Sequence, residues 1–305
     1  MKKWLFSTGL KIFLIAIGAL VFLGGCSSQP TAQMSRDIKA DGKLKVVATF
    51  YPLAEFARQV GGAKVEVVTI IPAGSEPHDF EPTPRDIAGI NSASVFIYNG
   101  SPLDPWAEKV AADLPPSTLS IGMAKALGID SSDPHFWLDP VLAAKEVEAI
   151  RDAFSAADPA RSGDYAANAN LYLSKLKTLD ADFAAGLSSC AQHEIFTSHE
   201  AFAYLARRYG LSQVPITGIS PDAEPSARAL ADLATLARAK GIKYIFFETL
   251  ASPKLAQTLA SEIGAQTLVL NPLEGLTAEE TKSGMDYISV MRQNLANLKI
   301  ALQCP

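Results

Sequence analysis

Histidine and cysteine are scarce in this 305-residue chain, which holds four of the former and three of the latter. Basic charge is not in excess either. There are 27 Lys and Arg against 32 Asp and Glu, a net charge of −5. That balance lacks the basic footprint on which nucleic-acid binding depends. No His-Glu-x-x-His run, glycine-rich phosphate loop or Gly-x-Ser-x-Gly elbow occurs, so the local signatures of the common metallohydrolases, NTPases and serine hydrolases are missing. No short tandem repeat is present. The N-terminal apolar run, Ile12 to Leu23, is shorter than the ~20 residues a membrane span needs.

That N-terminus carries a different signal. Lys2 and Lys3 precede the apolar run, and Gly24 and Gly25 precede Cys26. A basic head, an apolar middle and small residues before the cut describe a secretory signal. The cysteine immediately after the small residues narrows this to a bacterial lipoprotein signal. Residues 1–25 are therefore expected to be removed and Cys26 to carry lipid, holding the chain on the extracytoplasmic face of the cell membrane. The alternative is a spanning helix with Cys26 as an ordinary core cysteine. The removed segment holds three lysines and no acid, which takes the net charge from −5 to −8, a surface suited to meeting cations. Outside the cytoplasm a disulfide can persist. Cys190 and Cys304 are expected to pair and tie down the C-terminus, two free thiols being the alternative. Closing a loop of roughly 100 residues contributes ~4–5 kcal/mol in the chain-entropy model.

Residues 26–43 are polar and without apolar periodicity, and read as a flexible tether. Strand-length apolar runs at Lys45–Phe50, Val65–Ile71 and Ser94–Tyr98 alternate with helical spacing at Pro52–Val60 and Pro84–Ala93, the latter capped by Thr83 with Pro84 at its first position. This alternation implies a parallel sheet with crossover helices. Residues 142–187 are rich in Ala, Leu, Lys and Asp, and read as a short helix followed by a long one. The strand–helix rhythm then returns: strands at Glu194–Thr197, Gln213–Thr217, Lys243–Phe247 and Thr267–Leu270, helices at Ala201–Tyr209, Ser226–Lys240, Pro253–Ile263 and Glu279–Leu302. The expected fold class is α/β, with lobes at 44–141 and 188–305, both built on parallel sheets, joined by one long linking helix.

Three of the four histidines occupy similar places. His78 lies in a Pro/Gly loop just past a strand, His135 in the loop Asp133-Pro134-His135-Phe136-Trp137-Leu138-Asp139-Pro140, and His199 at the strand-to-helix turn Thr197-Ser198-His199-Glu200. Ligands bind parallel α/β sheets outside the carboxyl ends of their strands. Imidazole suits zinc, copper, iron and nickel, so the trio points to a metal. His193 precedes its strand and reads as a bystander.

These stretches, with Pro77-His78-Asp79-Phe80-Glu81-Pro82-Thr83-Pro84 and Leu270-Asn271-Pro272-Leu273-Glu274-Gly275-Leu276, resemble the zinc/manganese solute-binding lipoproteins of ABC importers, often called cluster 9. The resemblance covers nearly all of Val46 to Cys304. It implies two pseudo-symmetric lobes, a rigid linking helix and one metal at the lobe interface. His78, His135 and His199 match its three histidine ligands, the last being glutamate in manganese-binding members. Many relatives have an aspartate in the loop where this chain has Asn271. In the branch resembling streptococcal zinc-binding lipoproteins a glutamate slightly further on is the ligand, and Glu274 matches it. Glu248, at the end of its strand, is the alternative fourth ligand or an acceptor holding an imidazole. Asp133, Asp139, Glu200 and Glu224 are further acids near these loops, Asp139 and Glu224 reading as helix caps. Trp137 is expected to pack at the lobe interface and not on a ligand. The histidine-rich loop of many zinc-binding relatives is missing, since Lys109 to Ser132 contains no histidine.

Three imidazoles and a carboxylate suit one Zn2+ per chain, since Mn2+ prefers harder oxygen donors. The implied function is extracytoplasmic zinc capture and delivery to a cognate ABC permease with its cytoplasmic ATPase. The protein would be a lipid-anchored monomer and not an enzyme. A manganese-binding transport lipoprotein or surface adhesin is the alternative, and a zinc hydrolase a remote one.

Overall fold

The computed structural model describes residues 42–305. The expected signal segment, Cys26 and most of the expected tether lie outside those residues.

The first lobe runs β1 (Leu44–Ala48), α1 (Tyr51–Gly61), β2 (Val65–Thr69), α2 (Pro84–Asn91), β3 (Val95–Tyr98), α3 (Pro105–Ala112), β4 (Leu119–Gly122) and α4 (Met123–Leu127). All its strand pairings are parallel, in the order β2-β1-β3-β4. Two helices follow, α5 (Pro140–Ala157) and α6 (Ser162–Leu187). At 1.5 Å per residue, the 26 residues of α6 extend for about 39 Å. The second lobe runs β5 (Glu194–Thr197), α7 (Ala203–Tyr209), β6 (Ser212–Pro215), α8 (Ala227–Ala239), β7 (Tyr244–Phe247), α9 (Lys254–Ile263), β8 (Gln266–Val269), α10 (Ala278–Lys282) and α11 (Tyr287–Ala301). Its order, β6-β5-β7-β8 and again parallel, repeats that of the first sheet.

Successive side chains of a strand point to opposite faces, and this sorts the core. Val46 and Ala48 enter a central cluster shared by both lobes and by α5 and α6. Val47, between them, enters a smaller cluster with Ile90, Phe96 and Trp106 on the outer face of the first sheet. Phe196 and Ile245 do the same with Ala234, Ala237 and Leu259 in the second. Because the large central cluster runs through the helical pair, the lobes share one packed core.

Local chemistry sets the element ends. Thr83 and Asp86 form a reciprocal capping box on α2, with Pro84 at its start. Asp139 Oδ1 accepts from Val141 N at 2.8 Å and caps α5. Glu224 does not cap α8; the side chain of Ser226 does, accepting from Ala229 N. The single helix expected over Glu279–Leu302 is two. Gly284 takes a left-handed φ of 74°, which ends α10, and Asp286 and Ser289 form a new capping box on α11. The expected pairing of Cys190 with Cys304 is present as a disulfide that bridges 114 residues, at the end of β5 opposite to His199.

Candidate metal site

Each histidine of the trio is held by its own loop. The loop after β2 carries His78. Its backbone N–H donates to Glu76 Oε2 at 3.0 Å. Gly74, with φ of 83°, turns this loop so that its N–H donates to Leu276 O of the other lobe at 2.9 Å. His135 ends the approach to a short helical turn, Phe136–Leu138, that runs into Asp139 and α5. Its backbone N–H donates to Asp133 Oδ1 at 3.0 Å. His199 follows β5, and its carbonyl accepts from Thr197 Oγ1 and Gln213 Nε2. Glu274 sits in the loop after β8, next to Leu273, whose φ is 59°.

These four residues converge. His78 Nε2, His135 Nε2 and His199 Nε2 lie 3.3, 3.0 and 3.3 Å from one oxygen, Glu274 Oε1. His135 Nε2 is 3.3 Å from His78 Nε2 and 3.4 Å from His199 Nε2. Zinc bonds of ~2.0–2.1 Å in a tetrahedron imply donor–donor edges of about 3.3–3.4 Å, so the observed spacings suit one small four-coordinate cation. His135, His199 and Glu274 are buried, and His78 is nearly so.

Behind two of the three histidines stand carboxylates. His135 Nδ1 donates to Asp133 Oδ1 at 2.7 Å. His199 Nδ1 donates to Glu248 Oε1 at 2.8 Å, and Ser198 Oγ donates to the same oxygen at 2.7 Å. Such bonds place the hydrogen on Nδ1 and turn Nε2 inward as the donor to a metal. Glu248 is therefore not brought to the cluster of four; it faces the far nitrogen of His199.

The electrostatics follow from burial and pairing. Burial would lower His199, but the charge of Glu274 and the bond to Glu248 outweigh it and push the imidazole up to about 10. His135 is raised against the same opposing burial by Asp133 and Glu274. Burial would raise Glu274, yet the facing His199, His135 and His78 hold its carboxyl well below the usual range.

A second acidic group, Glu76, Asp79 and Asp222, brings its oxygens within 4.8 Å of one another beside His78. Burial and then the charge of Glu274 push Glu76 up to about 8. In the sequence the group shows only as Glu76 and Asp79 flanking His78, with Asp222 more than 140 residues away. Trp137 packs at the interface as expected but also lies against a candidate ligand, its ring centroid 5.2 Å from that of His135. Among the sequence-stretch acids, Glu200 and Glu224 make no bond to the trio.

Two parallel-sheet lobes on a helical pair, with a buried cluster of three imidazoles and one carboxylate supplied by loops of both, define a metal-ion solute-binding protein. The chain belongs to the ZnuA family, described as zinc-uptake complex component A, periplasmic, whose model matches residues 46–301. It is 42% identical to the high-affinity zinc uptake system protein ZnuA of Bacillus subtilis, over 99% of this chain and 98% of that one. It is also 42% identical to the zinc-binding lipoprotein AdcA of Streptococcus pneumoniae, over 94% of this chain but only 60% of AdcA. The crystal structure of the Zn(II)-bound ZnuA-like domain of that AdcA superposes with a TM-score of 0.77 at 46% identity, covering 86% of this chain and 99% of that domain.

Proposed function

We propose that this protein captures zinc outside the cytoplasmic membrane and delivers it to an ABC permease coupled to a cytoplasmic ATPase. The observation that carries this reading is the convergence of three imidazole Nε2 atoms on Glu274 Oε1 at 3.0–3.3 Å. His78, His135, His199 and Glu274 are the four ligands in this reading, and Glu248 orients His199. Three neutral nitrogens and one carboxylate favour zinc over manganese, which prefers a harder oxygen set. Four protein ligands leave no open position for the water that a catalytic zinc activates, which supports capture and not hydrolysis. Lipid attachment at Cys26 and a monomeric state complete the proposal. The shared core through α5 and α6 favours release by modest loop or lobe movement over wide hinge opening.

The test is elemental analysis of the purified protein, then competition between zinc and manganese against a chromophoric chelator. One equivalent of tightly held zinc per chain is expected. A protein that retains no zinc, or that prefers manganese, would overturn the assignment.

A further inference from the structure

Asn271 lies three residues before Glu274 and outside the cluster of four, and every polar group of the residue is used. Its backbone N–H donates to Asn294 Oδ1 at 2.9 Å, and Asn294 Nδ2 returns a bond to Asn271 O at 2.7 Å. Its Oδ1 accepts from Leu273 N at 2.8 Å. Its Nδ2 donates to Thr249 Oγ1 and to Glu280 Oε1, both at 3.0 Å. The side chain thus joins the loop after β7, the loop after β8 and α10, and the backbone of the same residue adds α11. The residue is 3% exposed, so none of these groups has bulk water as a substitute partner.

The bond to Leu273 N matters most for Glu274. Leu273 has the left-handed φ of 59°, a conformation that sterics disfavour for a side chain of this kind. It is held between the turn closed by Asn271 and the fully buried position of the Leu273 side chain. The next residue is Glu274, whose carboxylate enters the cluster. Glu280 fixes the other end of the segment, since its Oε2 accepts from Thr277 N at 2.7 Å while its Oε1 accepts from Asn271.

We infer that Asn271 is a positioning residue that sets zinc affinity by fixing the turn that aims Glu274 at His78, His135 and His199. The inference deepens the zinc-capture reading and rests on it. It also requires an amide at this position. Oδ1 must accept from Leu273 N while Nδ2 must donate to the Glu280 carboxylate, and only asparagine does both at this reach. In Asn271→Asp the turn keeps its acceptor, but a second carboxylate faces Glu280 where a donor stood. Burying that pair without a donor between them is costly. The Glu280→Gln change in the same chain restores a donor–acceptor pair with the polarity reversed, because the glutamine oxygen still accepts from Thr277 N and its amide N–H faces the new carboxylate.

The experiment compares the full chain with Asn271→Asp, Glu280→Gln and the double variant. Zinc affinity comes from chelator competition. The histidine ring nitrogens of the metal-free proteins are followed by NMR. Asn271→Asp is expected to weaken zinc binding at least about tenfold, a change of ~1.4 kcal/mol, and the double variant to recover to within about threefold. In a Glu274→Ala background the Asn271→Asp change should have no further effect, because its route to the metal runs through the Glu274 carboxylate. The ring signals of His78, His135 and His199 should move in metal-free Asn271→Asp, while those of His193, outside the cluster, stay put. Should Asn271→Asp fail to fold, Glu280→Gln alone carries the test, with a smaller loss that also vanishes in the Glu274→Ala background. Unchanged affinity, a loss that persists in that background, or unmoved ring signals would each overturn the inference. The ring signals need no zinc, so a parent protein that binds none sinks the zinc reading separately.

Discussion

The indole N–H of Trp137 donates to the carbonyl of Pro272 at 2.8 Å, across 135 residues of sequence. Trp137 is two residues beyond His135, and Pro272 two residues before Glu274. One bond therefore ties the loops of two candidate ligands from different lobes. Tyr287, at the start of α11, adds a second tie by donating from its hydroxyl to Trp137 O at 2.6 Å. The indole itself is fully buried and stands edge-on to Phe50, with centroids 4.7 Å apart.

Trp137→Phe removes the donor and leaves the Pro272 carbonyl without its partner. The smaller ring also leaves a void. Together these are expected to destabilise the metal-free protein by about 2–3 kcal/mol, read by urea denaturation. Zinc should leave about tenfold faster, followed by stopped-flow transfer to a chelator. Parent-like stability would mean that the bond is dispensable and that the two loops are held by the backbone alone.

Glu248 and Glu274 should separate by the size of their effects. Glu248 touches His199 at Nδ1, so Glu248→Gln keeps an acceptor oxygen there and weakens zinc binding by about 10–100-fold, as outer carboxylates of metal-bound histidines do. In the proposed site Glu274→Ala deletes one of four donors and the one carboxylate among them. Its loss should exceed about 100-fold. Isothermal competition titration of both variants gives the ranking, and the reverse order would make Glu248 the ligand.

The legible parts of this molecule were those with local signals. The Val- and Ile-rich runs at β1, β2 and β3, and the Thr83–Pro84 start of α2, are written in neighbouring residues. His78, His135 and His199 stood out because so few histidines exist, two of the three fall past strand ends and the third lies in the loop that closes the first lobe. Glu274 carried no such signal, and only resemblance pointed to it. The strand β4, Leu-Ser-Ile-Gly, is too short and too polar to show a period, and its place beside β3 is a tertiary fact. The break between α10 and α11 was written in Gly284, but the apolar spacing on either side of it resembled one helix. The ties of Trp137 to Pro272 and of Asn271 to Glu280 depend on chain crossings that no local pattern records.

Glu146, on α5, is fully buried, and neither of its carboxyl oxygens has a hydrogen-bond partner. Burial raises its pKa well above the usual carboxylate value. The folded chain therefore keeps a proton that the unfolded chain has lost above its ordinary pKa, ~4.5. Stability falls as pH rises from that value toward the folded pKa. Glu146→Met, apolar and of similar volume, is expected to stabilise the protein by about 1–3 kcal/mol near neutral pH. The gain should be larger at pH 8 than at pH 5, because only the parent carries the pH-dependent cost. Urea denaturation at the two pH values checks both the sign and the trend. An equal gain at both would mean that packing and not ionisation is responsible.

Zinc and protons should compete for the cluster. With His199 pushed up to about 10 by Glu274 and Glu248 against its burial, the metal-free site holds a proton at neutral pH, and the metal must displace it. The raised pKa stabilises the metal-free fold fully below the unfolded value of ~6.5, and that contribution is lost as pH rises through about 10. The zinc-loaded form has the opposite trend, since its ligands are deprotonated. The rise in melting temperature on adding zinc should therefore widen from pH 6 to pH 9. At pH 7.5, the calorimetric heat of zinc binding should vary with the ionisation heat of the buffer, because the released proton is taken up there. Glu248→Gln removes one of the charges that raise His199, so it should reduce the proton release as well as the affinity. Binding heats that are identical in buffers of different ionisation heat would show that no proton leaves, and that His199 is neutral before the metal arrives.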